Sequence, residues 1–389
     1  MKKKKILLCV AVTSMIAVTG TVLAINGGLE NSSVFATNGE VWYHYAEIAP
    51  TPTRHGSKEF WASSTDGCAT HQFVNPGVAS IDRNFFDNEY FYSLTKEDDR
   101  YIAPTSSSPI INGNTVTYGI YPQTVLTDEE LVSTLDKDAT EQTNGWFLYR
   151  GEYYAKVSAA PYYKDNQFDN GTTIEEGTTY WFKCEPITWN VLSDANGEYY
   201  ILSSVLLDAH CYYDFESAGY ELYEYRTINN KKVYHNNYEY SDIRSWLNDE
   251  FYNSAFALGN SHIQTTTVDN SASTTNSDEN TYACDNTQDN VFLPSYQDYL
   301  NSKYGFSTDT TYIDHARWCK TTDWAKARGT DYSHDEYGND YGDYWTRSPS
   351  SGDYGVASSV NYIGWVKPSE WGVDQPCVCV RPALSIKIA

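Results

Sequence analysis

The sequence predicts an α+β protein in which a small β-rich N-terminal module precedes a larger domain. The 389 residues include 35 Tyr and 11 Trp but only 2 Met, and Tyr and Trp favour strands and half-exposed surfaces. Segments at 114–121, 146–157, 179–192 and 198–206 indicate strands. A helix is indicated where Ile243, Trp246, Leu247 and Phe251 recur at helical spacing.

The N-terminus predicts export. Four Lys at 2–5 precede an apolar run at 6–24, and small-residue cleavage sites follow at 22–24 and 34–36. We therefore expect residues 1–36 to be a signal peptide and the remaining chain to be secreted or held at the cell surface. The apolar run is as long as a membrane span, roughly 20 residues, so an uncleaved N-terminal anchor is the alternative.

The charge of the chain excludes two classes of partner. The net charge is −24, and loss of residues 1–36, which hold four Lys and one Glu, changes it to −27. Binding to nucleic acid or to anionic lipid depends on Lys and Arg contacts with phosphate. We expect neither partner, apart from the membrane that an uncleaved anchor would enter.

A Ser- and Pro-rich segment at 105–109 marks the predicted domain boundary. Residues 37–109 are expected to form the N-terminal module and its linker, and residues 110–389 one continuous domain. In that domain a turn at 121–124 precedes a helix at 127–135, with Thr127 as N-cap and Glu130 completing a capping box. The strands at 179–192 and 198–206 are joined by a hairpin signal at 193–197.

The second half of the domain alternates helices with loops. Ser241 is the predicted N-cap of a helix at 242–256, and a third helix is expected at 295–304 after a Ser-, Thr- and Asn-rich loop. Two Arg-bearing segments, at 344–349 and 378–384, are predicted to form a closing hairpin. The run at 380–388 is expected to be the last strand.

Seven ordered motifs in residues 110–389 carry a family resemblance. They lie at 121–124 (YPQT), 184–189 (CEPITW), 242–248 (DIRSWLN), 292–295 (FLPS), 322–326 (TDWAK), 345–349 (WTRSP) and 380–384 (VRPAL). The segment resembles the bacterial domain of unknown function 6273, found in exported proteins of Gram-positive bacteria. More distantly, the resemblance implies a C-type-lectin-like fold, which is shared by the formylglycine-generating, sulfatase-modifying enzymes.

The polar members of these motifs are Glu185, Arg244, Arg347 and Arg381. Because they stand among apolar strand and helix residues, we expect them to pair within the fold as structural residues. The alternative is that the Arg side chains contact a ligand, since the guanidinium fork suits carboxylates and sulfates.

Cys377 and Cys379 are two residues apart on a predicted strand, so their side chains point to the same face. They are expected to be packed in the core or bridged to a distant cysteine. The alternative is a copper(I) or redox site in an enzyme related to formylglycine generation. Seven cysteines remain after residue 36, so at least one must be free if the others pair.

The acidic, Gly-rich segment at 335–343 is a candidate calcium site through Asp335, Asn339, Asp340 and Asp343. Calcium takes six to eight oxygen ligands and tolerates irregular loops. A solvated loop or the rim of a binding surface is the alternative. No other cofactor is expected.

Exposed aromatic residues are the predicted ligand contacts, because flat rings cover the apolar faces of sugars and peptides at low entropy cost. Tyr220 and Tyr223 lie in the loop before the helix at 242–256, and Trp365 and Trp371 lie in the last hairpin. The sequence shows no nucleophile elbow and no phosphate-binding Gly-rich loop, and no catalytic residue is predicted. We expect a non-catalytic binding or structural domain that recognises an extracellular glycan or protein.

Overall fold

The computed structural model describes residues 108–388 apart from 151, 215–224, 312 and 336–337, together with the backbone of six short strands within residues 20–92. The chain divides into two compact units, residues 1–104 with 149–152 and residues 105–148 with 153–389. No helix in these described residues is long and apolar enough to cross a membrane.

The first unit contains one antiparallel sheet of six strands. Their order is β1-β2-β3-β4-β5, with β6 pairing with β3. The strands are β1 (Gly20–Val22), β2 (Ser32–Thr37), β3 (Glu40–Glu47), β4 (Glu59–Ser64), β5 (Gln72–Phe73) and β6 (Phe91–Tyr92). Strand β1 and most of β2 fall within the residues predicted to be a signal peptide.

The second unit is built on a nine-stranded sheet. It contains β7 (Ile110–Asn112), β8 (Thr115–Val125), β9 (Thr140–Glu141), β10 (Phe147–Tyr149), β11 (Glu152–Ser158), β12 (Thr179–Ala195), β13 (Glu198–Ser203), β18 (Ile263–Gln264) and β28 (Ala383–Lys387). The order is β18-β28-β13-β12-β11-β10-β9, with β8 on β12 and β7 on β8. Strand β12 is long enough to pair with β11 through 179–183, with β8 through 182–190 and with β13 through 189–195.

Two smaller sheets and two hairpins complete the second unit. A four-stranded sheet has the order β14 (Val205–Leu206), β21 (Lys320–Thr321), β23 (Asp340–Gly342) and β22 (Tyr332–His334). A five-stranded sheet has the order β15 (Asp208–Ala209), β27 (Cys379–Val380), β24 (Tyr344–Pro349), β25 (Val356–Val360) and β26 (Val366–Gly372). The hairpins pair β16 (Tyr225–Ile228) with β17 (Lys231–Tyr234) and β19 (Thr266–Val268) with β20 (Thr287–Asp289).

The described helices are few and short. They are α1 (Glu129–Asp138), α2 (Asp242–Trp246), a π-helical turn (Leu247–Phe251), α3 (Tyr252–Ala255) and α4 (Asp323–Ala327). Single 3₁₀ turns occupy Tyr238–Tyr240, Ala272–Thr274, Asp298–Leu300 and Ser302–Tyr304. The second unit is therefore mostly antiparallel sheet with few helices, which agrees with an α+β or β-rich class.

Local signals in the sequence identify several elements correctly. Ser241 is the N-cap of α2, and its hydroxyl accepts a hydrogen bond from the Arg244 amide at 3.2 Å. The predicted hairpin joins β12 to β13, and Asn196 and Gly197 both have positive φ, at 58° and 79°. Two successive positive φ values are typical of a type I′ turn, for which Asn-Gly is the preferred pair.

Three predicted elements were wrong in detail. The N-cap of α1 is Asp128 rather than Thr127, because the Asp128 carboxylate accepts from the amides of Glu130 and Leu131. The third helix is two 3₁₀ turns, since Asn301 is extended and its side chain starts the second turn. The strand predicted at 146–157 is interrupted between β10 and β11.

The predicted closing hairpin was also wrong. Strands β25 and β26 form an antiparallel hairpin on one side of β24. The chain then returns on the other side, where β27 runs parallel to β24. The last strand, β28, leaves this sheet and pairs with β13 and β18. The C-terminal segment therefore joins two sheets instead of closing one.

Candidate functional site

A cleft of ≈ 680 Å³ opens on the second unit, a size within the usual range of small-ligand sites. The loop between β9 and β10 contributes to one part of it, and the helical segment from α2 to α3 to another. Strands β8, β11 and β15 and the residues of α4 and its C-terminal end supply the remainder. The lining residues are Tyr121, Gln142, Thr143, Asn144, Trp146, Tyr153, Asp208, Trp246, Asp249, Glu250, Asn253, Ser254, Ala257, Trp324 and Arg328.

The helical residues that line the cleft share one face of the helix because of their spacing in the sequence. Trp246, Glu250, Asn253 and Ala257 are three or four residues apart, which places them on one face of a helix. Between α2 and α3 the helix widens into the π-helical turn, which carries Asp249 and Glu250. Such turns are rare and occur preferentially at functional sites. The helix therefore presents one Trp, two carboxylates and one amide to the cleft.

Asp208 is the central polar residue of the cleft and is only 2 % exposed. One carboxylate oxygen accepts from the Tyr121 hydroxyl at 2.6 Å and from the Trp324 indole N–H at 2.9 Å. The other accepts from the Ala209 amide at 2.8 Å and from Nε of Arg328 at 3.1 Å. Burial, followed by the nearby Asp208 charge, raises the pKa of Tyr121 well above its usual value. Asp208 thus fixes two aromatic side chains and one cation.

Arg328 lies where the cleft meets solvent, with 37 % of its side chain exposed. The Asp208 carboxylate is the main cause that raises the pKa of Arg328. Only Nε of the guanidinium donates a hydrogen bond to a described residue, so both Nη groups are available to a ligand.

The indole N–H groups of Trp146 and Trp246 are also available. The two residues are 7 % and 8 % exposed and line the cleft, and neither indole N–H forms a hydrogen bond with another described residue. Their open donor positions, on two residues that line one cleft, suit a ligand with oxygen acceptors.

The cleft combines aromatic surface with hydrogen-bonding groups at its edge. Trp146, Trp246, Trp324, Tyr121 and Tyr153 supply the rings. Rings bury apolar C–H surface, while amides and carboxylates pair with hydroxyl or amino groups. This arrangement binds a ligand and orients it.

Comparison with known proteins identifies one domain. Residues 196–388 match the family model of a domain of unknown function, DUF6273. Over this segment the chain is similar to the DUF6273 family. No curated protein and no solved structure matches the chain. The DUF6273 segment contributes Asp208, the helical wall and the end of α4 to the cleft, whereas Tyr121, Trp146 and Tyr153 come from residues that precede it.

None of the cleft residues is among the site residues predicted from the sequence, although the sequence contains a signal for three of them. Tyr121, Trp246 and Trp324 are each the aromatic residue of a predicted family motif, at 121–124, 242–248 and 322–326. The last two motifs lie inside the matched segment, and the first precedes it. The residues predicted from the motifs are the polar ones alone. Asp208 and Trp146 lie outside all seven motifs, and no pattern in the sequence distinguishes them.

Two of the four predicted ligand contacts lie outside the cleft. They are Trp365 and Trp371, at β26 of the matched segment. The Trp371 indole donates to Asp343 at 2.8 Å, and the ammonium of Lys367 is 5.2 Å from the centre of the Trp365 ring. The other two candidates, Tyr220 and Tyr223, fall outside the described residues.

The candidate calcium residues have different neighbours. Asn339 donates to the two carboxylate oxygens of Asp335 at 2.7 and 2.8 Å. Asp340 contacts Lys326 and His334, and Asp343 accepts from the Trp371 indole. Within the described part of the chain, no three His, Cys, Asp or Glu residues are grouped so that they could hold a metal ion. Calcium binding stays a prediction of the sequence.

Two of the polar motif residues make contacts near the surface. The Glu185 carboxylate accepts from the Thr124 hydroxyl at 2.6 Å, which links β12 to β8. Arg244 forms an ion pair with the buried Asp289 at 2.7 Å. Neither contact is part of the cleft.

The other two are buried in the matched segment. Arg347 pairs with Asp298 at 2.9 Å. Arg381 donates from Nε to the Ser203 carbonyl at 3.0 Å and from Nη1 to the Tyr344 hydroxyl at 3.1 Å. No carboxylate of the described residues forms an ion pair with Arg381, so backbone and phenolic oxygens solvate its charge.

Cys377 and Cys379 are both buried. Burial raises the pKa of Cys377 to about 12 and that of Cys379 well above its usual value. Little thiolate is therefore present at neutral pH, and thiolate is the form that binds copper(I) or attacks a substrate. The other described cysteines, which are also free, are Cys184, Cys211, Cys284 and Cys319.

Proposed function

We propose that the protein binds a glycan in the aromatic cleft and does so without catalysis. The observation that carries the proposal is a ligand-sized cleft lined by the rings of Trp146, Trp246 and Trp324. A sugar ring complements this surface. Its apolar face can pack on the aromatic rings, and its hydroxyl oxygens can accept hydrogen bonds from the indole N–H groups.

The cleft is also preorganised for binding. Asp208 already holds the Tyr121 hydroxyl and the Trp324 indole, so these rings need not be ordered when a ligand arrives. Ordering a side chain on binding costs about 0.5–1.5 kcal/mol. The open Nη groups of Arg328 and the amide of Asn253 at the rim supply further polar contacts.

We further propose that the protein is exported by a Gram-positive bacterium and that residues 110–389 have a C-type-lectin-like arrangement. The N-terminal charge and apolar run support export, and the antiparallel sheets with few helices and long loops support the fold. The acidic surface agrees with a partner that is neither nucleic acid nor anionic lipid. N-terminal sequencing of protein recovered from culture medium tests export, and we expect a start after Ala24 or Ala36.

A glycan array followed by calorimetry tests the binding site. Trp146→Phe and Trp246→Phe keep an aromatic ring and remove only the indole N–H. We expect each to weaken binding of an array-positive glycan by about fivefold to tenfold, the value of one hydrogen bond. Trp365→Phe is the matched control, because its indole N–H is also unpaired but lies outside the cleft.

The result can contradict the proposal in two ways. Weakened binding in Trp365→Phe alone would place the site at the last hairpin, as the sequence first predicted. Absence of any bound glycan would reject glycan recognition.

A further inference from the structure

We infer that Arg328 and Glu250 select an uncharged hydroxyl group of the glycan that the cleft binds. This inference rests on the glycan-binding function proposed above and makes these two residues the ones that determine its specificity. It is carried by a guanidinium that the fold already orients in the cleft and by a carboxylate that lies near it.

The guanidinium of Arg328 is held in place before a ligand arrives. Its Nε donates to the Asp208 carboxylate at 3.1 Å, and Asp208 is only 2 % exposed. The centre of the guanidinium lies 6.0 Å from the centre of the Trp324 ring, and the Trp324 indole donates to the same carboxylate at 2.9 Å. One buried carboxylate therefore sets the position of the guanidinium and of the ring beside it.

The two Nη groups of Arg328 are the donors offered to a ligand. Neither forms a hydrogen bond with a described residue, and the side chain is 37 % exposed where it lines the cleft. A guanidinium has five N–H donors and no acceptor. The ligand group that meets it must therefore supply an oxygen acceptor.

Glu250 imposes the opposite requirement. The Asp208 charge is the main cause that raises the pKa of Arg328, and the Glu250 charge also contributes, so Glu250 lies close to the guanidinium. Glu250 nevertheless forms no hydrogen bond or ion pair with a described residue, and both side chains line the cleft. An ionised carboxylate only accepts hydrogen bonds. A ligand group that lies between the two side chains must therefore donate as well as accept.

A hydroxyl group meets both requirements, whereas a charged group meets only one. A hydroxyl accepts through its lone pairs and donates through its proton. A carboxylate on the sugar would accept from Arg328 but meet Glu250 as a like charge, and an ammonium group would pair with Glu250 but meet Arg328 as a like charge. Like charges brought together in an interface are strongly unfavourable. The pair therefore favours a neutral sugar over both an acidic and an amino sugar.

Calorimetry with three β-1,4-linked tetrasaccharides tests this selection. Cellotetraose is neutral, the glucuronic acid tetramer is anionic and the glucosamine tetramer is cationic at a pH between the pKa values of the uronic acid and the amine. We expect cellotetraose to bind about tenfold more tightly than either charged tetramer, the value of one hydrogen bond to a charged group. Tighter binding of either charged tetramer would overturn the inference.

Two variants of Glu250 separate hydrogen bonding from charge. Glu250→Gln keeps a carbonyl acceptor and loses the charge, so cellotetraose should bind within about twofold of its original affinity while discrimination against the glucuronic acid tetramer decreases. Glu250→Leu also removes the acceptor and should weaken cellotetraose binding by about fivefold to tenfold. Glu250 is exposed, so neither substitution disturbs the core. Equal cellotetraose affinities in the two variants would contradict a hydrogen-bonding role.

Arg328→Lys tests the guanidinium and keeps its charge. An ammonium group that pairs with Asp208 has no fork that also reaches a ligand, so cellotetraose should bind about fivefold to tenfold more weakly. Arg150→Lys is the matched control, because the Arg150 guanidinium also lies beside a ring, 5.1 Å from the centre of Tyr149, but is outside the cleft. An equal loss in both variants would overturn the assignment to Arg328.

The remaining outcomes separate this inference from the proposed function. Equal binding of all three tetramers, unchanged by the Arg328 and Glu250 variants, would refute the selection and leave glycan binding intact. Binding of none of the three would also refute the selection, and the glycan array then decides whether any glycan binds at all.

Discussion

Replacement of Asp208 by Ala should destabilise the second unit by about 4 kcal/mol. Removal of the Asp208 carboxylate leaves three donors without an acceptor. They are the Tyr121 hydroxyl, the Trp324 indole N–H and the Ala209 amide. Each buried, unsatisfied donor costs about 1–3 kcal/mol, but water entering from the cleft offsets part of this. Arg328 adds only about 0–1 kcal/mol, because its side chain is 37 % exposed and water solvates the freed charge.

The assay is urea-induced unfolding, monitored by tryptophan fluorescence. The change in the free energy of unfolding is the shift in the midpoint urea concentration multiplied by the slope of the transition, which we expect to be unchanged. Tyr121→Phe removes one donor and leaves the carboxylate in place, so we expect a loss of about 1 kcal/mol. Asp249→Ala is the control, since this carboxylate is exposed at the cleft rim, and its effect should stay within about 0.5 kcal/mol. The reasoning is refuted if Asp208→Ala costs less than Tyr121→Phe, or no more than Asp249→Ala.

Three further predictions concern residues outside the cleft. Arg381→Lys should cost about 2–3 kcal/mol in the same urea assay, because an ammonium group cannot replace the fork that reaches Tyr344; an unchanged midpoint would contradict this. Burial raises the pKa of Asp343 from 3.8 to about 6, so the folded state binds this proton more tightly than the unfolded state does. The free energy of unfolding should therefore fall, by at most about 3 kcal/mol, as pH rises from about 4 to about 6. Asp343→Asn should flatten that part of the pH profile, and an identical profile would reject the assignment. If the loop at 335–343 binds calcium, a chelator should lower the melting temperature and Asp335→Asn should abolish the effect; an insensitive melting temperature rules out a structural ion.

The elements that could be predicted from the sequence are those whose signals are local. Ser241 caps α2, and the Asn196-Gly197 pair turns the chain between β12 and β13. In both cases the determining contact lies within three residues. The strand pairing of the C-terminal segment was not local, because β24 is separated from β27 by a hairpin that occupies its other side.

The cleft could not be predicted for the same physical reason. Tyr121 and Trp324 are 87 and 116 residues from Asp208, and all three meet only after the sheets form. Asp208 lies in a strand of two residues, which is too short for any periodic pattern. The aromatic motif residues were visible in the sequence, but their convergence on one carboxylate was not.

The position of β28 makes the nine-stranded sheet depend on contacts between distant parts of the sequence. Strand β28 lies between β13 and β18, and Lys387 meets Glu198 across 189 residues of chain. The nine-stranded sheet therefore cannot close until residues 383–387 are available, because β28 is the strand that joins β13 to β18. A chain that ends before β28 would leave β13 and β18 as unpaired edges, which are templates for aggregation. A chain truncated before β28 should therefore aggregate rather than fold.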